Sequence, residues 1–278
     1  MFNVQIKHYI TFAVVAITLS SCSSGGFFGP SPAEELSAKI DTLINTGQYQ
    51  EALQYIDTLN TRYPKEVELR KASMLSRARA MEGVINDSIP IVDAQIERTQ
   101  QELDSLKPYF TAVNDPGLPG YIVDKAVRNV NLLSGNNLQP RLGDALSSWT
   151  LVVNVKGHKN ITGLSIEIDG RRASSSASNA ESRRVKGSSG EMFSFTTAEV
   201  DPIAEAIAGS VVSPAVLYIE TSTGAVSIKL SEPMVTAIWR TYIFSKLREE
   251  HRLALVRREL LERKLAVARN QVENLSGK

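Results

Sequence analysis

The sequence predicts an α+β protein in which a small antiparallel β domain is inserted into a discontinuous helical stem. Two stretches, residues 85–110 and 247–275, place mainly apolar residues alternately three and four positions apart, which is the spacing of a coiled-coil seam. Between them, residues 149–230 contain short runs in which apolar and polar residues alternate, as they do in half-buried strands. We therefore expect the two helical stretches to pair with each other across the intervening β domain.

The N-terminal residues have the pattern of an export signal. Lys7 precedes an apolar run over residues 10–19, which is far shorter than the roughly 20 apolar residues that a membrane-spanning helix needs. The sequence Leu19-Ser20-Ser21-Cys22 follows and resembles the bacterial lipobox, and Cys22 is the only cysteine of the chain. The resemblance implies cleavage after residue 21 and a lipid on Cys22 that holds the protein on a membrane. The alternative is an ordinary secretory signal with a lone cysteine.

A flexible tether is predicted directly after the cysteine, because residues 23–32 are rich in Ser, Gly and Pro. In the enterobacterial sorting rule for lipoproteins, an aspartate after the cysteine retains the protein at the inner membrane, so Ser23 favours the outer membrane. The predicted organisation is a signal peptide (1–21), a lipidated cysteine with its tether (22–32), a helical hairpin with the first stem helix (33–112), an inserted β-rich domain (113–232) and a return helix of the stem (233–276).

The segment after the tether predicts a helical hairpin. Residues 33–46 carry apolar residues at helical spacing, and Gly47 provides the turn into a second helix. Residues 36–64 resemble one tetratricopeptide repeat, on Gly47, Tyr49, Ala52, Leu53, Ile56, Leu59, Tyr63 and Pro64. Residues 65–81 offer the start of a second repeat. Because about three repeats are needed for an independent array, a peptide-binding groove and a purely structural hairpin both stay open.

Two long helices are expected to form the stem. The first is predicted to start at residues 86–88, which provide a cap, with Pro90 in its first turn. The second opens at Glu232-Pro233 and meets no glycine or proline before Gly277. A second apolar row predicts that this helix packs between others, first antiparallel to residues 90–107 and then along the hairpin; the row consists of Leu253, Val256, Leu260 and Val267.

Five strands and one short helix are predicted between the stem helices. Strands are expected at 149–155, 164–168, 191–196, 216–220 and 225–230, with hairpin turns at Asp169-Gly170 and Thr223-Gly224. Asp201-Pro202 predicts the cap and first position of a helix that ends at Gly209.

The charge of the chain argues against a nucleic-acid partner, since the net value is only +1. The distribution is uneven. Residues 23–114 carry 9 basic and 13 acidic side chains, whereas residues 233–278 carry 10 basic and 5 acidic ones. Opposite net charges favour the two ends of the chain lying side by side.

No catalytic constellation is evident in the sequence. Without the signal peptide only His158 and His251 remain, and neither has a second histidine or a cysteine at metal-binding spacing. We therefore predict a non-enzymatic protein without metal or cofactor. Two alternatives stay open: a Ser/His/acid triad that uses His158, and hydrolysis by Glu167 and Asp169, which share a face if both lie on one strand.

Five cations form the strongest candidate binding feature of the β domain. Arg171, Arg172, Arg183, Arg184 and Lys186 flank a Ser/Ala-rich run at residues 174–178. If the two flanks form one hairpin, the cations gather near one another, and arginine suits carboxylates and phosphates. The expected ligands are an anionic glycan, peptidoglycan or an acidic protein surface. The alternative is a solvated loop.

The order of elements resembles Bacteroidota lipoproteins in which a short helical hairpin precedes a β module and a long closing helix. Together with the anchor and the stem, it predicts a cell-envelope lipoprotein that acts as a non-enzymatic binding or scaffolding module with a protein or cell-wall partner. One alternative is an envelope glycan hydrolase that uses carboxylates of the β domain. Another is a structural lipoprotein that forms homo-oligomers through its coiled-coil faces.

Overall fold

The computed structural model describes residues 29–114, 120–143, 148–157, 160–177, 183–187, 190–210 and 214–277. Over these ranges the chain forms five α-helices and ten β-strands, arranged as a helical stem with an inserted domain of two antiparallel sheets. The predicted α+β architecture is confirmed. The predicted signal peptide, Cys22 and the first part of the tether lie outside the described residues.

Two antiparallel helices, α1 (Pro32–Asn45) and α2 (Tyr49–Arg62), form the predicted N-terminal hairpin. Ser31 and Glu34 cap α1 reciprocally. Ser31 Oγ accepts from the Glu34 backbone N–H at 3.3 Å, and Glu34 Oε2 accepts from the Ser31 N–H at 2.6 Å. Gly47 has a φ of +77°, which permits the tight turn between the helices. The buried core of the hairpin includes Ala33, Ile40, Ile56 and Leu59.

A single 40-residue helix, α3 (Val67–Leu106), follows the hairpin and forms the first half of the stem. The predicted helix start at residues 86–88 is therefore wrong, and residues 65–81 lead into this helix instead of beginning a second repeat. Pro90 lies inside α3, where a proline costs about 3 kcal/mol. The helix packs against the hairpin and against the C-terminal helix. This packing outweighs the cost of Pro90 and the preference of residues 86–88 for a helix cap.

The hairpin docks on α3 through a close contact at Gly83. A Cβ atom at Gly83 would lie 2.5 Å from ring atoms of Tyr49, well inside van der Waals contact. Glycine at this position therefore permits the close approach of α2 to α3. The apolar cluster beside the contact includes Leu43, Ala52 and Ala80.

Replacing Gly83 with alanine is expected to lower the free energy of unfolding by about 1–3 kcal/mol, because the added methyl group overlaps the Tyr49 ring. In a Tyr49→Ala background, the same change is expected to raise that free energy by about 1 kcal/mol, since alanine is the better helix former. Urea denaturation of the four chains, followed by circular dichroism, measures both effects. An equal loss of stability in the two backgrounds would contradict the close contact.

The return helix, α5 (Glu232–Ser276), runs antiparallel to α3 and completes the predicted seam. Thr99 Oγ1 lies 2.9 Å from His251 Nδ1, and Arg258 Nε donates to Asp93 at 2.6 Å. These contacts combine a packed seam with ion pairs along its edge. Nearer the hairpin, the seam contains Ile85, Leu265 and Ala268.

The second apolar row of α5 is exposed. Its four side chains are each about half accessible to solvent: Leu253, Val256, Leu260 and Val267. The expectation that α5 packs between other helices is therefore wrong for this row. The physical reason is that, within the described ranges, the hairpin packs mainly on α3 and leaves the side chains of this row exposed.

The β domain consists of two antiparallel sheets that share one apolar core. The larger sheet has the spatial order β1 (Phe110–Val113), β2 (Tyr121–Asp124), β3 (Asn137–Gly143), β4 (Trp149–Lys156), β8 (Gly190–Phe195), β7 (Arg184–Lys186). The smaller sheet has the order β10 (Gly224–Lys229), β9 (Val216–Thr221), β5 (Ile161–Ile168), β6 (Arg171–Ser176). The five predicted strands correspond to β4, β5, β8, β9 and β10. Strands β1 to β3 are not predicted from the sequence, and β6 and β7 enter the prediction only as the conditional flanks of one hairpin. The domain begins at Phe110, before the predicted boundary.

A short helix, α4 (Thr197–Ala208), packs chiefly on β6 of the smaller sheet. It begins earlier than predicted because Thr196 and Glu199 form a capping box, while its predicted end is confirmed. Asp201, the predicted cap, instead accepts a hydrogen bond from Nε1 of the buried Trp149 at 3.0 Å. The carboxylate thus fixes the helix on the core.

Candidate binding surfaces

The five predicted cations do not form one cluster. Arg171 and Arg172 lie on β6, which pairs with β5, whereas Arg184 and Lys186 lie on β7, which pairs with β8 in the other sheet. The two flanks therefore do not pair with each other as one hairpin, which was the condition for the five cations to gather. The cause is local: β6 turns back on β5 at Asp169-Gly170, where both residues have positive φ angles, as a tight hairpin requires.

Two of the arginines are neutralised by carboxylates of the protein itself. Arg183 Nη2 donates to Glu199 Oε1 at 3.0 Å, and this hydrogen bond raises the pKa of Arg183 above its ordinary value. Arg184 forms an ion pair with the buried Glu191 and donates to the backbone carbonyl of Ile161 at 3.0 Å. Both arginines therefore tie elements of the β domain together.

Arg172 is also engaged, whereas Arg171 and Lys186 are exposed. Arg172 Nη2 donates to Glu220 Oε1 at 2.9 Å and to Ser165 Oγ at 2.8 Å. Among the five cations, only Arg171 and Lys186 have no hydrogen-bond or ion-pair partner in the described part of the chain. Since these two lie on different sheets, they do not form a joint anion site.

The carboxylates of the hydrolase alternative are also separated. Glu167 lies on β5 and accepts a hydrogen bond from the Tyr218 hydroxyl at 3.1 Å. That bond is the main reason why the pKa of Tyr218 is raised above its ordinary value. Asp169 lies in the turn after the strand, with a φ of 52°, so the expected shared strand face is wrong.

The two histidines give no paired site either. His251 lies in the stem seam, where its ring nitrogen contacts Thr99. His158 lies outside the described residues. Within the described ranges, no group of three histidine, cysteine or carboxylate side chains is arranged to hold a metal ion.

A cavity of about 460 Å³ lies at the end of the β domain remote from the hairpin. It opens between the C-terminal end of α4 and the first turns of α5. These turns lie beyond the stem, because α5 meets the end of α3 near Phe244, which stacks on Phe110. Its walls are mainly apolar: Ile168, Ile207, Ala208, Pro214, Leu230, Val235 and Trp239. Its polar lining residues are Ser210, Glu232 and Thr236.

This distal cavity is not evident from the sequence, because its lining comes from several separate segments. Its volume lies within the range typical of small-ligand sites in proteins. An apolar side chain or a small apolar group fits such a space. A sequence signal was present in Trp239, one of two tryptophans in the chain, which falls outside the heptad seam.

A second apolar cavity, of about 360 Å³, lies where the stem enters the β domain. Leu103 of α3, Phe110 and Ile122 of the sheet, and Phe244 of α5 form its apolar walls. Nearby, Arg240 donates to the buried Asp124 at 3.3 Å and stands over the Tyr109 ring. The junction between stem and sheet is therefore held by both apolar and ionic contacts.

The fold and its surfaces define an α+β protein with a long stem, an inserted two-sheet domain and two apolar cavities on that domain. None of the helices in the described ranges is long and apolar enough to cross a bilayer. The chain matches no family model, no curated protein and no solved structure.

Proposed function

We propose that this protein is a lipid-anchored protein of the cell envelope, at the outer membrane, that displays its β domain on the helical stem as a non-enzymatic binding module. The position of the first helix carries the proposal. Leu36 of α1 packs in the same cluster as Leu69 near the start of α3, whereas the β domain follows the other end of α3. A 40-residue helix is about 60 Å long. Cys22 comes shortly before α1 in the sequence. Since α1 packs at the start of α3, it lies at the end of the stem that is remote from the β domain.

The distal cavity is the proposed contact with a protein or cell-wall partner. Its apolar walls favour burial of an apolar group, at about 25 cal/mol for each Å² removed from water. A site on the β domain, at the opposite end of the stem from the proposed anchor, suits a partner that lies away from the anchoring membrane. The stem then acts as a spacer of fixed length.

Replacing Cys22 with serine is expected to abolish membrane attachment, because one thiol carries the proposed lipid. In cells fed a tagged palmitate analogue, the unaltered chain should carry the tag and sediment with membranes, whereas Cys22→Ser should carry no tag. Ser24→Ala, two residues away, is the matched control and should behave as the unaltered chain does. Tagged, membrane-bound Cys22→Ser protein would contradict the anchor.

Contact through the distal cavity is tested by a photo-crosslinking amino acid at Thr236, which lines the cavity. In intact cells we expect one discrete crosslinked species from this position. The same amino acid at Glu262, an exposed position on the stem helix, is the control and should give none. Crosslinks at Glu262 alone, or at neither position, would contradict a contact at the distal end.

A further inference from the structure

The exposed apolar row of α5 has the spacing of a second coiled-coil seam. Leu253, Leu260 and Val267 are seven residues apart, and Val256 lies three residues after the first of them. Their exposed fractions are 51%, 49%, 57% and 52% in that order. Leucine and valine at such positions, repeated over two heptads, expose an apolar strip that isolated surface residues do not form.

Two uncompensated cations border this row. Arg257 and Lys264 each follow a leucine of the row by four residues, which places them beside it on the helix surface. In the described part of the chain, neither has a hydrogen-bond or ion-pair partner. The other basic residues near the row are paired within α5, since Arg252 contacts Glu249 and Arg263 contacts Glu259.

The occupied face of α5 indicates what this combination binds. There, an apolar seam packs on α3, and basic residues of α5 pair with acidic residues of α3. Arg258 pairs with Asp93 at 2.6 Å, and Arg269 Nε donates to Glu82 at 3.0 Å. The exposed face has the same apolar spacing at Leu253, Val256 and Leu260 and also carries flanking positive charge, but no helix of the described ranges covers these side chains.

We infer that the exposed row of α5 binds an amphipathic helix of a partner protein whose apolar seam is flanked by acidic residues. Leu253 to Val267 spans 15 residues, or about 21 Å of helix, so a partner helix of four to five turns covers it. Beyond the row, Met81 of α3 joins Val267 and Lys264 in a shallow groove that widens the surface. This contact is independent of the anchor and of the distal cavity.

The charge of α5 disfavours a second copy of the chain as the occupant. Residues 233–278 carry 10 basic and 5 acidic side chains. Two copies that met along this row would bring the unpaired Arg257 and Lys264 of both into one interface. Charges that flank a coiled-coil seam set the choice of partner, and like charges oppose pairing.

Two synthetic peptides test the inference against the full chain in mild detergent. Both have 21 residues with leucine at the seam positions; one has glutamate at the flanking positions and the other has lysine. Fluorescence anisotropy should show that the glutamate peptide binds at least about tenfold more tightly than the lysine peptide, and that binding weakens as salt is added. The lysine peptide controls for detergent and for general apolar attraction.

Variants locate the contact. The double variant Leu253→Glu/Leu260→Glu should abolish binding of the glutamate peptide, while Leu133→Glu, at an exposed apolar residue of the β domain, should not. The double variant Arg257→Glu/Lys264→Glu should reverse the preference towards the lysine peptide. Because all these side chains are exposed, the melting temperature should stay unchanged, which separates lost binding from lost folding.

Three results would overturn the inference. One is equal binding of the two peptides, and another is binding of the glutamate peptide that persists in Leu253→Glu/Leu260→Glu. The third is a dimer of the full chain in sedimentation experiments that Leu253→Glu/Leu260→Glu converts to a monomer, which would assign the row to a second copy.

Discussion

Replacing Glu191 with alanine is expected to lower the free energy of unfolding by about 3–5 kcal/mol, the usual effect of removing one partner of a buried ion pair. The carboxylate is fully buried, and its partner Arg184 is only 8% exposed. Glu191 also accepts hydrogen bonds from the backbone N–H groups of Asn160, at 2.8 Å, and Ile161, at 3.0 Å. The change therefore leaves without their acceptor a buried cation, the buried N–H of Ile161 and the partly buried N–H of Asn160.

Urea denaturation of the full chain in detergent, followed by circular dichroism, measures this loss. Glu259→Gln is the matched control, because it removes one carboxylate from a pair with Arg263 in which the side chains are 60% and 74% exposed. Such a pair contributes about 0.5 kcal/mol or less. If the two variants lose equal stability, the buried ion pair of Glu191 does not stabilise the fold more than an exposed pair does.

Replacing Phe244 with alanine is expected to lower the free energy of unfolding by about 3–5 kcal/mol, as is usual for a buried phenylalanine. Its ring stacks on Phe110 with centroids 4.7 Å apart, at the point where α3 ends and the first strand begins. The change removes apolar contact between α5 and the base of the sheet. We therefore expect the junction between stem and β domain to loosen as well.

Hydrogen exchange distinguishes this loosening from a general loss of stability. In Phe244→Ala, amides of residues 110–113 should exchange faster relative to amides of the central strand at 149–156, which lies deeper in the domain. Phe244→Leu keeps most of the volume and should cost about 1.5 kcal/mol or less. An alanine variant that exchanges uniformly faster at both places would show that the ring does not hold the junction specifically.

The stem could be predicted because its signal is periodic over many residues. The seam of α3 and α5 repeats over several heptads, so single misleading residues such as Pro90 changed only the predicted start of one helix. By contrast, β3 was missed because Gln139, Pro140 and Arg141 interrupt any alternating pattern. Buried Gln139 is tolerated there since its amide donates to the backbone carbonyl of Val127 at 3.0 Å. Only the folded chain supplies that acceptor.

The binding features were harder to predict for the same reason. Nothing local in the sequence shows that Arg183 and Arg184 are matched by Glu199 and Glu191, which the chain supplies from neighbouring elements. The start of α4 is a different case. Thr196 and Glu199 have the spacing of a capping box, but Asp201-Pro202 has an equally typical pattern, and sequence alone does not rank the two.

The seam between α3 and α5 joins residues that lie far apart in the sequence. Thr99 and His251 are separated by 152 positions, and Glu82 and Arg269 by 187. Closing so long a loop in an unfolded chain is unfavourable, and each doubling of length adds about 0.6 kcal/mol. A folded β domain shortens the loop that remains to be closed, because Phe110 at the end of α3 stacks on Phe244 of α5. The helices can then pair from that end towards the hairpin. Until the 45-residue α5 has been made, the apolar seam face of α3 lacks its partner, and such transiently exposed apolar surface favours aggregation of a nascent chain.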